Sequence, residues 1–124
     1  MLIEEYFEKL FSAIDAHPLV NERDIAAERR SDYIGHVRGV LVLRDGSRLF
    51  VREFLETRSQ ISRFSYAYHL VDADGVFILR YDNAPHHAAL STFPHHVHEG
   101  ADVLPSNEMD LASVLVEIDR RTGV

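Results

Sequence analysis

The chain has no cysteine, which excludes disulfides and thiolate metal sites and leaves the redox compartment undetermined. It has no apolar run approaching the length of a membrane span. Its first residues, MLIEEYFEKLFSAIDAH, have acids and a lysine interrupting the apolar positions. They therefore have neither the basic start nor the continuous apolar stretch of a signal peptide. A soluble cytoplasmic protein with no membrane association is expected. Internal repeats, low-complexity runs and an HExxH frame are also missing, and so is an excess of positive charge. The net charge of -7 argues against general nucleic-acid affinity.

The 124 residues are enough for one domain, 1–124, that buries a core without covalent staples. Charge is unevenly spread along them. From Arg29 to Arg80 there are nine arginines against six acids, whereas residues 1–28 and 81–124 each carry two basic groups and seven acids. The basic middle suits a solvated sheet face or a small patch for an anion or an acidic partner segment.

Ile3, Tyr6, Phe7, Leu10, Phe11 and Ile14 recur at helical spacing, and the helix they predict ends before Pro18. Residues 22–30 read as a helical turn or an irregular edge strand, with strand favoured. Asp45-Gly46 joins Tyr33–Arg44 to Ser47–Thr57 as a two-residue hairpin turn. That turn sets Val42 opposite Leu49, Val40 opposite Val51 and Arg38 opposite Glu53 on one face, and Leu41 with Phe50 and Val37 with Phe54 on the other. Both faces are then apolar, as in a strand pair covered on two sides. Arg38 and Glu53 read as an ion pair that is either a structural bridge or part of a site.

A second hairpin runs from Arg63 to Leu70, turns through Asp72-Ala73-Asp74-Gly75 and returns to Asp82. Tyr66, Tyr68, Leu70, Phe77, Leu79 and Tyr81 are its core face. Ser65, Ala67, His69, Ile78, Arg80 and Asp82 are the other. Periodicity then lapses until Pro105. Leu111, Val114, Leu115 and Ile118 define a closing helix, with Asn107 as candidate cap, Glu108 and Asp110 in its first turn, Arg120 and Arg121 in its last, and Gly123 to stop it. The fold class is α+β: an N-terminal helix, an antiparallel sheet of four to five strands built from two hairpins, a long histidine-rich loop and a C-terminal helix. An open strand edge beside residues 22–30 leaves room for a homodimer.

The chemistry gathers in RYDNAPHHAALSTFPHHVH, residues 80–98. Five of the eight histidines lie here, as His86, His87, His95, His96 and His98. A loop this long in a small domain tends to be functional. Imidazoles can take and return a proton near neutrality, Arg80 can neutralise a phosphate, and Asp82 can orient a histidine. Alternatively, a divalent transition metal such as zinc would draw on His96 and His98, which share one side of an extended segment, with His86 or His87 as third ligand and Asp82 or Glu99 as oxygen donor. A third possibility is that the imidazoles satisfy loop backbone and pack beneath the loop. His17 and His36 are assigned structural roles, and His69 shares the face of Arg80 and Asp82. Tyr66 and Tyr81 could stack on bases only against their core-face direction.

The segments DGSRLFVREF, FSYAYHLVDADG, ILRYDNAPHH and TFPHHVH together resemble the TumE-type toxins of prokaryotic toxin–antitoxin pairs, over roughly residues 33–98. Val97 departs from the pattern, since a lysine is expected there in many relatives. The resemblance implies a growth-inhibiting toxin held inactive by an antitoxin, usually a helix-turn-helix protein encoded beside it. It carries over to Arg80, Asp82, Asn83, Pro85, His86, His87, Pro94, His95, His96 and His98, and to Glu53 in the first hairpin. It supplies no reaction. Metal-independent ribonuclease activity follows only by analogy with small toxins in general. The alternatives are a histidine-coordinated metal hydrolase and a non-enzymatic module that blocks a cellular target.

Overall fold

A computed structural model describes residues 1–122; Gly123, expected to stop the last helix, lies outside them. The order is α1 (Ile3–Ala16), β1 (Val20–Arg29), β2 (Ile34–Leu43), β3 (Arg48–Glu56), β4 (Ser62–Val71), β5 (Phe77–Asp82), β6 (His96–Glu99), β7 (Asp102–Pro105) and α2 (Leu111–Thr122). The strands form one antiparallel meander in sequence order, β1 through β7. The α+β class stands, but with seven strands where four to five were expected. The segment 22–30 does prove to be a strand, up to Arg29. The two extra strands, β6 and β7, come from the segment read as unstructured, because four-residue strands are too short to display a period.

Both helices contribute to a single core on one face of the sheet. Ile3, Tyr6, Phe7 and Ile14 of α1 and Leu111, Val114, Leu115 and Ile118 of α2 meet Val37, Leu41, Leu49, Val51, Leu55, Tyr68, Leu79 and Val97. A side chain at Gly35 would run into Ile3 and Phe7 at 2.6 Å, so this glycine sets how closely α1 lies on β2. The cap of α2 is Asp110 rather than Asn107: its Oδ1 accepts from the Ser113 backbone N–H at 2.8 Å and the Ser113 hydroxyl at 2.6 Å. Glu108 and Asp110 consequently precede the first turn, while Arg120 and Arg121 do occupy the last.

The first hairpin differs from its expected register by one residue. Leu41 pairs with Leu49, Gly39 with Val51, Val37 with Glu53 and Arg38 with Arg52. Its loop is longer than two residues: the Gly46 N–H donates to Leu43 O and the Leu43 N–H to Ser47 O, with Gly46 at φ +85. A turn followed by a left-handed glycine makes a three-residue connection, and an odd loop length shifts every pair by one. Arg38 and Glu53 therefore point to opposite faces and form no ion pair. The sheet is covered on one face only, and Phe50, Phe54, Arg38 and Arg52 stand exposed on the other. The second hairpin pairs Tyr68 with Tyr81, Leu70 with Leu79 and His69 with Arg80, as expected. A bulge between Leu70 and Val71 takes Phe77 out of the core, and its ring lies 5.2 Å from that of His69.

This register makes Leu41 core and Val40 open-face. Leu41→Ala is expected to cost about 2–5 kcal/mol in denaturant unfolding, against about 1 kcal/mol or less for Val40→Ala. Equal costs would contradict the alternation.

Candidate functional site

Asp82 ends β5 on the open face, opposite His96 of β6, and Arg80 lies opposite His98. Alternation alone thus brings two imidazoles, a guanidinium and a carboxylate together on adjacent strands. Asp82 is 5 % exposed and His96 2 %. One Asp82 oxygen, Oδ1, lies 2.8 Å from His96 Nε2 and accepts from the Ala84 N–H at 3.0 Å. The other, Oδ2, accepts from Arg80 Nε at 2.8 Å and lies 3.5 Å from His98 Nε2. A buried carboxylate is thereby served on both oxygens.

The other ring nitrogen of His96, Nδ1, lies 2.8 Å from the Pro94 carbonyl. Both nitrogens of His96 thus face oxygen atoms, which hold the ring from two sides. His98 differs. Its Nε2 sits 3.3 Å from Arg80 Nη2, a donor that an unprotonated nitrogen would match, and 3.5 Å from Asp82 Oδ2, an acceptor. Partial burial, and then the Arg80 charge, hold the His98 pKa below the usual histidine value, with Asp82 opposing them. His87 completes the cluster from the loop above, its ring centroid 4.9 Å from that of His96 and 5.7 Å from that of His98. His87, His96 and His98 each offer a ring nitrogen within 4.8 Å of the others, so they could hold a metal ion. For His96 this would mean giving up one of its two acceptors.

Of the residues singled out in the sequence, Arg80, Asp82, His87, His96 and His98 converge. His86 borders the adjoining depression, of about 420 Å³, which is also lined by Arg52, Phe64, Ala67, Arg80 and Asp82. His95 turns the other way, with Nδ1 2.8 Å from the Tyr66 hydroxyl and its ring stacked on Tyr66. Burial pushes the Tyr66 hydroxyl up to about 12. Of the two histidines open as third metal ligand, His87 rather than His86 stands beside His96 and His98. His96 and His98 lie on a strand rather than in a loop, and the true connection shortens to residues 83–95. Thr92 holds that connection by donating to His95 O at 2.7 Å and accepting from the Ser106 N–H at 3.0 Å. Asn83 ties its start to β4, accepting from the Tyr66 N–H at 2.9 Å.

Glu53 lies on the helix-covered face, fully buried. It accepts from the Tyr6 and Tyr68 hydroxyls, each at 2.5 Å, and from Arg63 Nε at 2.9 Å. Burial, then the Glu53 charge, raise both tyrosines well above their ordinary pKa. Burial alone would lower Arg63, but Glu53 overrides it and holds the guanidinium charged. This is a satisfied ionic knot in the core, away from the histidines. His17 accepts from the Leu19 N–H at 3.1 Å, a structural role. Arg52 and Phe64, beside the site, were missed in the sequence: Arg52 because the first hairpin's register was read one residue out, and Phe64 because a bulge in the β3–β4 pairing turns it off the face of Tyr66.

Fold and site together define an α+β protein with an imidazole–carboxylate–guanidinium cluster on an open sheet face. Residues 9–122 match the family described as Toxin TumE, and the chain belongs to that family. It is accordingly the toxin component of a toxin–antitoxin pair, with an antitoxin as partner. Neither the curated proteins nor the solved structures contain a match. Among the described residues no helix is long and apolar enough to cross a membrane.

An imidazole titration by NMR should place the His98 midpoint below that of an exposed histidine. Removing the neighbouring cation in Arg80→Gln should raise it. An ordinary midpoint in the parent protein, unmoved by the substitution, would contradict the contact. Because the unfolded chain takes up this proton first as pH falls, His98 contributes stability that is lost as pH drops through the ordinary histidine range.

Proposed function

We propose that the toxin is a metal-independent ribonuclease acting in the cytoplasm, with His98 as general base, His87 as general acid and Arg80 as phosphate clamp. The observation that carries this reading is the contact between His98 Nε2 and Arg80 Nη2 at 3.3 Å. A phosphate that draws the Arg80 guanidinium onto its non-bridging oxygens releases an unprotonated imidazole nitrogen beside that same phosphate. His98 then takes the proton of a ribose 2′-hydroxyl as its oxygen attacks phosphorus. The P–O5′ bond breaks, His87 gives a proton to the leaving 5′ oxygen, and a 2′,3′-cyclic phosphate and a 5′-hydroxyl remain. Asp82 and His96 are positioning residues: Asp82 anchors Arg80, and His96 anchors Asp82. Antitoxin binding holds this activity in check.

The convergence of His87, His96 and His98 favours a second reading, a histidine-held transition metal such as zinc in a hydrolase. Elemental analysis of untagged protein separates the two, since a stoichiometric metal supports the second. Under the first, purified toxin cleaves RNA in the presence of EDTA. His98→Ala and Arg80→Ala are each expected to lower the rate about 10²–10⁴-fold with unchanged circular dichroism. Full activity in both variants would reject the assignment.

A further inference from the structure

The open face carries more than the histidine cluster. One transverse row, from β2 to β6, reads Arg38, Arg52, Ala67, Asp82 and His96. The next row reads Val40, Phe50, His69, Arg80 and His98. Arg38 and Arg52 are directly opposed, and among the described residues neither has a carboxylate within salt-bridge distance. Like charges placed opposite each other destabilise a strand pair, so this pair calls for an anion that the chain does not supply. Ala67 leaves a low floor between Arg52 and the Arg80–Asp82 pair, and a continuous depression links Arg52 to Arg80 and His86.

Aromatic rings flank this arginine track. Phe50, Phe54 and Phe64 are 43 %, 38 % and 48 % exposed. Phe54 and Phe64 are tilted together with centroids 5.1 Å apart, and Phe50 meets His69 edge-on at 6.1 Å. Exposed rings on a sheet, next to unpaired arginines, combine base stacking with backbone charge, the two elements by which proteins hold single strands. β1 bounds the track, since Glu22, Asp24 and Glu28 pair with the same-face residues Val42, Val40 and His36. That acidic border confines an anion to the strip from β2 to β5, three strand spacings or about 14 Å.

We infer that this face is a binding track for single-stranded RNA, with phosphates on Arg38, Arg52 and Arg80 and bases on Phe50, Phe54 and Phe64, leading to His98. Its direction toward His98 rests on the ribonuclease reading; the track itself does not. The strip favours a single strand over an acidic protein segment because its cations alternate with bare rings. A carboxylate-rich peptide would gain little from the rings. A duplex hides its bases and could use only the arginines.

Fluorescence anisotropy of a labelled single-stranded RNA dodecamer tests the track, using His98→Ala protein so that cleavage does not consume the probe. Phe54→Ala and Phe64→Ala are each expected to weaken binding about tenfold, with thermal unfolding unchanged. Arg52→Gln should lower the slope of log affinity against log salt by about 1. The same sequence as a duplex should bind more weakly than the single strand. No measurable binding, or affinities unchanged in all three variants, would overturn the inference. So would variants that lose the antitoxin while keeping RNA, since the face would then belong to an acidic protein segment. RNA bound through these residues but left uncut by the parent protein, with His98 in place, would uphold the track and refute only the acid–base roles of His87 and His98.

Discussion

The histidine cluster on the open face hangs from the carboxylate of Asp82. Its two oxygens hold Arg80 and His96 at 2.8 Å each, and through the Ala84 N–H they also set the chain's departure from β5. A carboxylate buried to this degree is costly unless its acceptors are filled. The strands β5 and β6 bring the donors that fill it, so pairing of the sheet and assembly of the cluster are one event. His98 gains its place beside Arg80 from the same pairing.

The protein keeps two ionic centres, one on each face of the sheet. Glu53, Arg63, Tyr6 and Tyr68 form a closed knot beneath the helices, with no buried polar side-chain atom left without a partner. The Asp82 centre is half open: Arg80 is 41 % exposed and His98 22 %. A closed network contributes specificity of packing. A half-open one leaves a guanidinium and an imidazole that a ligand can reach. The difference between the two argues for placing chemistry at Asp82 and structure at Glu53.

Much of this was legible in the sequence. The amphipathic helices, the two hairpins, and the placing of Arg80 and Asp82 away from the tyrosine core followed from period and turn signals. Clustered histidines beside Arg-x-Asp marked the site, and the family resemblance held. Three things could not be read. Asp45-Gly46 looks like a two-residue turn, and only the hydrogen bonds of Leu43 and Gly46 reveal the third loop residue that turns Glu53 inward and leaves Arg38 against Arg52. β6 alternates His96, Val97 and His98, but four residues carry too few periods to stand out. His86 and His87 are neighbours in the chain, and which one folds back over His98 depends on backbone geometry that composition does not encode.

In the proposed reaction, His98 takes a 2′-hydroxyl proton beside a phosphate held by Arg80. The most direct measurement is end-group analysis of the products from an RNA and from the same oligonucleotide carrying a single 2′-deoxy nucleotide at the cleaved position. The expected result is 2′,3′-cyclic phosphate and 5′-hydroxyl ends from the first and no cleavage at that position in the second. Equal cleavage of both, or products ending in 5′-phosphate, would contradict it.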